Sequence, residues 1–338
     1  MPTNNSPQEI WDALKQAKNP ICFLDGRLDF DSVCSALIVK ELLSMEGVEL
    51  PLYWHSFYVA DYKKYFEVDK ITPNVDPTQF DFTDYDLLLF LDCGDAHHLA
   101  PQGNFVIPSH IKTVNIDHHT GNPFYGDLNY VLYRGSNTSV LYNFFLELDL
   151  TLSPKLLKYI AMSLLTDTGF LKYDTVTSDD FRLIATLVDS GISIFDIIYE
   201  LSFFLTPDAF RLNKLILNNM RVEKEGRFVY TTITQDELAK YNIDEYNVKG
   251  GSPSDYLRRY EGMRFAFSIT ERNANKGLYS VSFRSSEKTY DVEKLAKSLG
   301  GGGHTSAAGV KIVDPVGLDS VINTVLSAIY MLDADKSS

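Results

Sequence analysis

Aspartates follow several of the apolar, strand-like runs in the N-terminal half of this 338-residue sequence. "FLD" ends at Asp25, a second "FLD" ends at Asp92, and "NID" ends at Asp117 and is followed by two histidines. The turn after the first run adds Asp29 and Asp31. Close carboxylates repel one another and are costly to bury unpaired, so such a set calls for cations. Carboxylates with an imidazole suit Mn²⁺ or Mg²⁺, and the pattern predicts a site shared by two ions.

The elements that must position these acids indicate an α/β fold. "DLLLFLD" carries five consecutive apolar residues, as expected of a central parallel strand that is buried on both faces. "ICFLD", "LPLYWH" and "KTVNIDHH" are further strand-like runs, and residues 31–46 have the broad apolar coverage of a helix packed on a sheet. The carboxyl ends of parallel strands face one crevice, where ligands bind. The helix ending in "LLTDTG", with a start signal at Ser153 and Pro154 and a stop at Gly169, brings Asp167 within reach of that crevice.

The pattern changes near residue 221, where "RFVYTTIT", "RFAFSITE" and "LYSVSFRS" are alternating or β-rich runs. The last two are separated by the turn segment "RNANKG". We therefore expect an N-terminal parallel-sheet domain joined by a linker helix to a smaller C-terminal α+β domain. The expected bounds are 1–17 for an N-terminal segment, 18–205 for the first domain, 206–220 for the linker helix, 221–332 for the second domain and 333–338 for a tail.

Composition limits the partners and the location. The formal net charge of -14 argues against binding long nucleic acid, which depends on many contacts from Lys and Arg to phosphates. A small anionic substrate remains compatible with this charge if bound cations supply positive charge locally. No run approaches about 18 apolar residues, and the N-terminus lacks the pattern of a secretory signal. Cys22, Cys34 and Cys93 lack metal-type spacing, which favours reduced structural thiols in a cytoplasm.

Several of these polar residues also have purely structural interpretations. Asp31 precedes a helix and would serve as its N-cap, while the negative charge of Asp29 would interact favourably with the helix dipole. Asp95 is more typical of a turn or cap than of a ligand. His97 and His98 are adjacent, so their side chains should diverge, and we expect them at the surface or beside the ligands rather than among them.

Five ordered motifs resemble a known family. "DFDS", "LDCGD", "IDHH" and "TDTG" resemble the four motifs of the DHH phosphoesterases, and "GGGGHTSAAG" at 300–309 resembles the signature of their associated C-terminal domain. Within the family, the sequence is most similar to the group of nanoRNases and 3′-phosphoadenosine-5′-phosphate phosphatases, whose members degrade very short RNA.

The resemblance implies a role for each matching residue. Asp92 would bridge two Mn²⁺ ions, with Mg²⁺ as the alternative metal. His119 would contact the scissile phosphate, and Asp117 would orient the histidines. The implied metal ligands are Asp29, Asp31, Asp92, His118 and Asp167. The implied substrate-binding residues are Asn122, Arg284, Gly301, Gly302, Gly303 and His304, with the glycines allowing close backbone approach.

The sequence departs from the family pattern at two positions of the first motif. Asp25 stands where the family usually has histidine, and Leu28 stands where it usually has proline. An aspartate can still bind Mn²⁺ or Mg²⁺, so we include Asp25 among the expected metal ligands. It lacks the imidazole nitrogen, which would shift the preference toward harder ions or weaken the first site.

The expected function is a two-metal phosphoesterase that hydrolyses very short oligoribonucleotides, 3′-phosphoadenosine-5′-phosphate or both. Its second domain would close over the first, and we expect neither long duplex nucleic acid nor membrane as a partner. The many aromatic residues permit a homodimer. Two alternatives remain: a cyclic-dinucleotide phosphodiesterase, or a nucleotide-binding protein whose catalysis is weakened by Asp25. A pyrophosphatase is disfavoured by the C-terminal glycine signature.

Overall fold

The computed structural model describes residues 3–26, 29–55, 63–100, 103–173, 175–203, 205–244, 253–272, 277–286 and 290–335, without the side chains of residues 304 and 335. Leu28, a departing motif position, and residues 273–276 of the predicted turn lie outside these ranges. The chain divides into two compact units, Met1–Phe204 and Leu205–Ser338. None of the described helices is long and apolar enough to cross a bilayer.

A parallel sheet forms the centre of the first unit. Its strands lie in the order β3-β2-β1-β4-β5-β6, and every pair of neighbours is parallel. The strands are β1 Pro20–Phe23, β2 Leu52–Tyr53, β3 Ile71–Thr72, β4 Leu87–Leu91, β5 Lys112–Asp117 and β6 Leu128–Val131. The predicted α/β class and the parallel sheet are confirmed.

The central strand β4 is buried on both faces, as its apolar run predicts. Leu89 and Leu91 join the apolar cluster on one face of the sheet, and Leu88 and Phe90 join the cluster on the other. This division follows from the alternation of side chains along a strand. Each such side chain contributes roughly 1.5–3 kcal/mol on burial, so β4 is a rigid support for the residue that follows it, Asp92.

Helices surround the sheet of the first unit. They are α1 Pro7–Gln16, α2 Phe30–Met45, α3 Asn137–Glu147, α4 Pro154–Asp167, α5 Ser178–Asp189 and α6 Ile194–Ile198. Short 3-10 helices lie at Val68–Lys70 and Ala96–Leu99, and a π-helical turn at Tyr199–Phe203. The start of α4 is as predicted, because the Ser153 side chain accepts a hydrogen bond from the Leu156 N–H (3.4 Å). Its end is also as predicted, because Gly169 follows with a positive φ of 57°.

The N-cap of α2 corrects one prediction. The cap is Asp29, whose carboxylate accepts a hydrogen bond from the Ser32 N–H (2.9 Å). Asp31 therefore lies inside the first turn and is not the cap. The helix begins at Phe30, one residue earlier than its apolar periodicity indicates. The reason is that a helix starts after the residue whose side chain bonds the first free N–H groups, whatever the apolar pattern.

The second unit is built on a mixed sheet in the order β11-β12-β10-β9-β8-β7, in which β8 and β9 are parallel and the other pairs antiparallel. Its strands are β7 Arg221–Glu223, β8 Phe228–Ile233, β9 Phe265–Glu271, β10 Leu278–Ser285, β11 Gly302–His304 and β12 Ala307–Val313. Its helices are α7 Pro207–Asn218, α8 Gln235–Lys240, α9 Pro253–Leu257, α10 Val292–Ser298 and α11 Leu318–Asp335. The predicted α+β class is confirmed. The helix expected as a linker corresponds to α7, which packs within this unit through Leu215 and Ile216.

Candidate active site

Three neighbouring strands deliver aspartates to the same edge of the first sheet. Asp25 lies two residues after β1, Asp92 directly follows β4, and Asp117 is the last residue of β5. Asp29 and Asp31 lie at the start of α2, and α4 ends at Asp167. The rule that the carboxyl ends of parallel strands share a crevice therefore accounts for the gathering of these acids.

His118 lies at the centre of this acidic group. Its Nε2 atom is 3.2 Å from Oδ1 of Asp92, 3.7 Å from Oδ2 of Asp31 and 3.7 Å from Oδ2 of Asp167. Its Nδ1 atom is 3.1 Å from the Arg134 carbonyl oxygen and donates to it. That bond fixes the ring so that Nε2 faces the carboxylates, as expected of a histidine that binds metal.

Two overlapping groups of side chains have the spacing of metal ligands. The first is Asp31, His118 and Asp167, and the second is Asp92, His118 and His119. Within each group the ligand atoms lie within 4.8 Å of one another. Donors to one cation with bonds of about 2.1 Å are separated by up to about 4.2 Å, so small inward movements would complete either set. Asp25 and Asp29 belong to neither group.

The electrostatics of the group fit a cation. Burial raises the pKa of Asp92 well above its ordinary value, and the charges of Asp31 and Asp29 raise it further. Burial and Asp31 likewise raise the pKa of Asp167 to about 7. For His118, burial alone would lower the pKa, but Asp92, Asp31 and Asp167 outweigh it and hold it well above its usual value. Protons therefore take up the negative charge that divalent cations would otherwise balance.

Asp29 shares this field at the rim of the group. Desolvation of its carboxyl group and the neighbouring charge of Asp31 raise its pKa to about 6, although the Ser32 N–H bond opposes the shift. Asp29 is thus both the cap of α2 and part of the acidic set. Its structural role is compatible with a second role as a ligand.

The N-terminus of α3 anchors Asp31, which is only 1% exposed. Oδ1 accepts hydrogen bonds from the Thr138 N–H (3.0 Å) and the Ser163 hydroxyl (2.6 Å), and Oδ2 accepts one from the Asn137 N–H (2.5 Å). Free N–H groups and the helix dipole both favour a negative charge at this end of a helix. Asp31 therefore ties α2, α3 and α4 to one point of the site.

Asp92 occupies a strained turn directly after β4. Its φ of 54° is in the left-handed region, which costs a non-glycine residue about 1 kcal/mol or more. The turn is held by a bond from its own N–H to the Ile116 carbonyl (3.2 Å) and by one from the Ser32 hydroxyl to Oδ2 (2.8 Å). The surrounding contacts thus aim Oδ1 at His118 rather than let the turn relax.

A buried polar chain orients His119. Its Nδ1 atom is 2.8 Å from Oδ1 of Asp117, which is fully buried. The Asn122 amide donates to Oδ2 of Asp117 (2.6 Å) and to Oδ1 of Asn115 (2.7 Å). Burial alone would raise the pKa of Asp117, but the bonds from His119 and Asn122 hold it below its ordinary value. An ionised Asp117 fixes the proton on Nδ1 of His119, which leaves Nε2 for a ligand.

Sequence reasoning missed Asn115, Ser32 and Ser163 as parts of the site. Asn115 carried a usable signal, because it is a polar residue two positions before Asp117 in a buried strand and so lies on the same face. The two serines carried no such signal, since their role depends on contacts with Asp92 and Asp31. Asn122, implied as a substrate contact, makes the bonds just described with Asp117 and Asn115, and its contact with substrate stays a prediction.

The predicted residues of the second unit lie on β10 and on or directly before β11, two strands that both pair with β12. Nε of Arg284, on β10, donates to Oδ1 of Asp255 (2.8 Å), so its charge is partly balanced. Close packing explains two of the glycines. A Cβ on Gly301 would lie 2.2 Å from the Gly309 carbonyl oxygen, and a Cβ on Gly303 would lie 2.5 Å from Cα of Ala308. A Cβ on Gly302 would meet nothing within 4 Å. His304 ends β11, and its side chain lies outside the described structure.

The paired histidines after β4 diverge, as predicted. Nδ1 of His97 is 2.8 Å from Oδ1 of Asp95, which caps the 3-10 helix as expected. Nδ1 of His98 is 4.0 Å from Oδ2 of Asp25. His98 thus lies beside the acidic group, whereas the ring of His97 is bonded to Asp95.

Comparison with known proteins relates both units to one family. The family model for the DHH family, N-terminal domain, matches residues 21–165, and the model for the DHHA1 domain matches residues 244–331. The bifunctional oligoribonuclease and PAP phosphatase NrnA of Thermus thermophilus is 25% identical over 348 residues, covering 96% of each chain. The probable NrnA of Streptococcus mutans is 27% identical over 66% of this chain and 69% of that protein. The structure of an exopolyphosphatase-related protein from Bacteroides fragilis shares the fold, with a TM-score of 0.83 at 17% identity over 98% of this chain and 97% of that one.

Replacing Asp167 with Asn should stabilise the metal-free protein. With a folded-state pKa of about 7, Asp167 holds a proton that the unfolded chain releases above about pH 4, so its contribution to stability falls as pH rises from 4 to 7. We expect D167N to raise the melting temperature in EDTA at pH 7 by about 2–4 °C, or about 1–2 kcal/mol. Thermal unfolding measures this, with D84N at an exposed position as control. A variant less stable than wild type in EDTA would contradict the electrostatic account.

Binding of Mn²⁺ should release protons and strengthen as pH rises. The raised pKa values of His118 and Asp167 mean that both side chains hold protons where they face each other at 3.7 Å, and a cation must displace these protons. We expect affinity to rise between pH 5 and 8, and D167N to release fewer protons than wild type. Calorimetry in two buffers of different ionisation enthalpy counts these protons. An affinity that does not change over this range would show that these groups do not face the ion.

Proposed function

The chain belongs to the DHH phosphoesterase family, as its motifs predict, and on this premise we propose that it hydrolyses very short oligoribonucleotides and 3′-phosphoadenosine-5′-phosphate. The observation that carries the proposal is the position of His118 among three carboxylates whose charge calls for cations. The substrate class is supported by the names of the relatives, one of which aligns over 96% of both chains.

We propose Mn²⁺ as the metal, two ions per site, with Mg²⁺ as the alternative. Carboxylates combined with imidazole suit Mn²⁺, whereas Mg²⁺ prefers oxygen alone. When bound, such ions provide Lewis acidity and activate water as the nucleophile. The proposed ligands are Asp25, Asp29, Asp31, Asp92, His118 and Asp167.

The protein's own side chains would orient the substrate phosphate and stabilise the charge that develops on it. Asp117 holds the Nδ1 proton of His119, so Nε2 of this half-exposed ring is free to meet a phosphoryl oxygen. A protonated Nε2 at that point would offset charge that develops on the phosphate during displacement, an effect typically worth 10²–10³ in rate for one donor. Asn122 supports this role indirectly, because it keeps Asp117 in place.

We also propose that the second unit binds phosphate groups of the substrate through Arg284, His304 and the backbone of Gly301, Gly302 and Gly303. Gly302 offers the most open backbone of the three, since a Cβ at this position would contact no atom within 4 Å. The net charge of -14 disfavours long polyanions, which supports a substrate of a few nucleotides.

We propose the cytoplasm as the location. All three cysteines are free and buried, and burial raises the pKa of Cys22 to about 12 and those of Cys34 and Cys93 well above the ordinary value. Thiols held in this state are inert structural groups of the kind common in reducing compartments. The homodimer stays a prediction from the sequence.

A substrate panel tests the proposal. The purified protein with Mn²⁺ is offered an RNA dinucleotide, 3′-phosphoadenosine-5′-phosphate, cyclic di-AMP and pyrophosphate. We expect turnover of the first two. Turnover of cyclic di-AMP alone would favour the cyclic-dinucleotide alternative, and no turnover with Mn²⁺ demonstrably bound would favour a binding protein.

Replacing Asp92 with Asn should reduce kcat on the dinucleotide by at least about 10²-fold, because it removes the carboxylate nearest His118. The matched control is D84N, an aspartate-to-asparagine change at an exposed position before β4. Steady-state kinetics at saturating Mn²⁺ measures both variants. Activity of D92N close to that of D84N would reject the site.

A further inference from the structure

Three loops converge beside Asp25. The Gly26 N–H donates to the His98 carbonyl oxygen (3.2 Å), which joins the loop after β1 to the 3-10 helix after β4. A Cβ on Gly26 would lie 2.8 Å from this oxygen and 2.8 Å from Nε2 of His55, which follows β2. Glycine at position 26 therefore allows two histidine-bearing loops to approach the Asp25 turn closely.

The separation of His98 and Asp25 suits a shared cation better than a direct bond. Nδ1 of His98 is 4.0 Å from Oδ2 of Asp25, beyond hydrogen-bond distance. Two donors on one ion with bonds of about 2.1 Å are typically about 3–4.2 Å apart.

His97 provides a contrast within the same 3-10 helix. Its Nδ1 lies 2.8 Å from Oδ1 of Asp95, a direct hydrogen bond at an exposed position. His98 has no such short partner among the contacts of the described residues, and its half-exposed ring faces the 13% exposed side chain of Asp25. Two neighbouring histidines therefore differ in what their rings face.

The acidic field extends to Asp25. After burial and Asp31, the charge of Asp25 also raises the pKa of Asp29. After burial, it is the next cause of the raised pKa of Cys93, the residue that follows Asp92. Asp25 therefore lies close enough to add its charge to both sides of the site, where a further neutral donor such as imidazole would complete a ligand set without adding charge.

We propose that His98 is a metal ligand that acts together with Asp25, so that the loop after β4 supplies an imidazole to the ion on the Asp25 side of the site. The inference rests on the proposed two-metal function, because it concerns a ligand of that same centre. It concerns Asp25, which lies outside both ligand groups.

Mn²⁺ binding by H98A and H97A tests the proposal without reference to catalysis. The full-length variants are titrated with Mn²⁺ alone, free Mn²⁺ is followed by electron paramagnetic resonance, and imidazole nitrogens on the bound ion are detected by electron spin-echo modulation. We expect H98A to weaken one ion about 10–100-fold and to lose a nitrogen coupling, and H97A to match wild type. Wild-type affinity and couplings in H98A would overturn the proposal.

A double-mutant cycle gives a second measurement. If Asp25 and His98 bind one ion, D25N should weaken that ion, and adding H98A should weaken it by much less than H98A does alone. Full additivity would contradict a shared ion. H98Q, which nearly keeps the side-chain volume, replaces H98A if the alanine variant unfolds in EDTA.

Wild-type turnover separates the two claims. If wild type binds Mn²⁺ and cleaves the dinucleotide while H98A binds like wild type, the role of His98 is wrong and the proposed function stands. If wild type itself neither binds Mn²⁺ nor cleaves the dinucleotide, the proposed function fails and this inference fails with it.

Discussion

Three carboxylates within 3.7 Å of one imidazole nitrogen impose the constraint on which the first unit depends. Negative charge at this density is unfavourable in a buried place, and the protein meets it with protons when no cation is bound. The pKa values of Asp92, Asp167 and His118 are all raised for this reason, because protons replace the missing positive charge of a cation. A site that stores protons where ions would bind is already shaped for cations.

Support for the acids comes from elements that are distant in sequence. Asp31 is held by the first N–H groups of α3, more than one hundred residues away, and by Ser163 on α4. Asp92 is aimed by Ser32 on α2 and by a left-handed turn that β4 supports from below with side chains buried on both faces. Packing and chemistry are therefore linked, because the helices that cover the sheet also present the hydrogen bonds that fix the ligands.

Local patterns were sufficient for the framework. The apolar run before Asp92 predicted a central strand, Ser153 and Gly169 predicted the ends of α4, and the rule for parallel strands predicted that the aspartates meet. Such features depend on neighbours in sequence, so one sequence carries them.

Long-range hydrogen bonds were not predictable in the same way. The cap of α2 is Asp29 and not Asp31, whose carboxylate instead accepts a hydrogen bond from the first N–H group of α3. That contact joins residues that are far apart in sequence, so local sequence patterns do not predict it. Adjacency in sequence predicts that the two histidines diverge, but only the fold shows that one of them, His98, lies beside Asp25.

The central claim is that the carboxylates of Asp31, Asp92 and Asp167 surround His118 in order to hold divalent cations. Anomalous diffraction at the manganese edge, from crystals grown with Mn²⁺, tests it most directly. We expect strong anomalous peaks within about 2.1–2.3 Å of these side-chain donors. No peak there, with the carboxylates still gathered around a protonated His118, would contradict it.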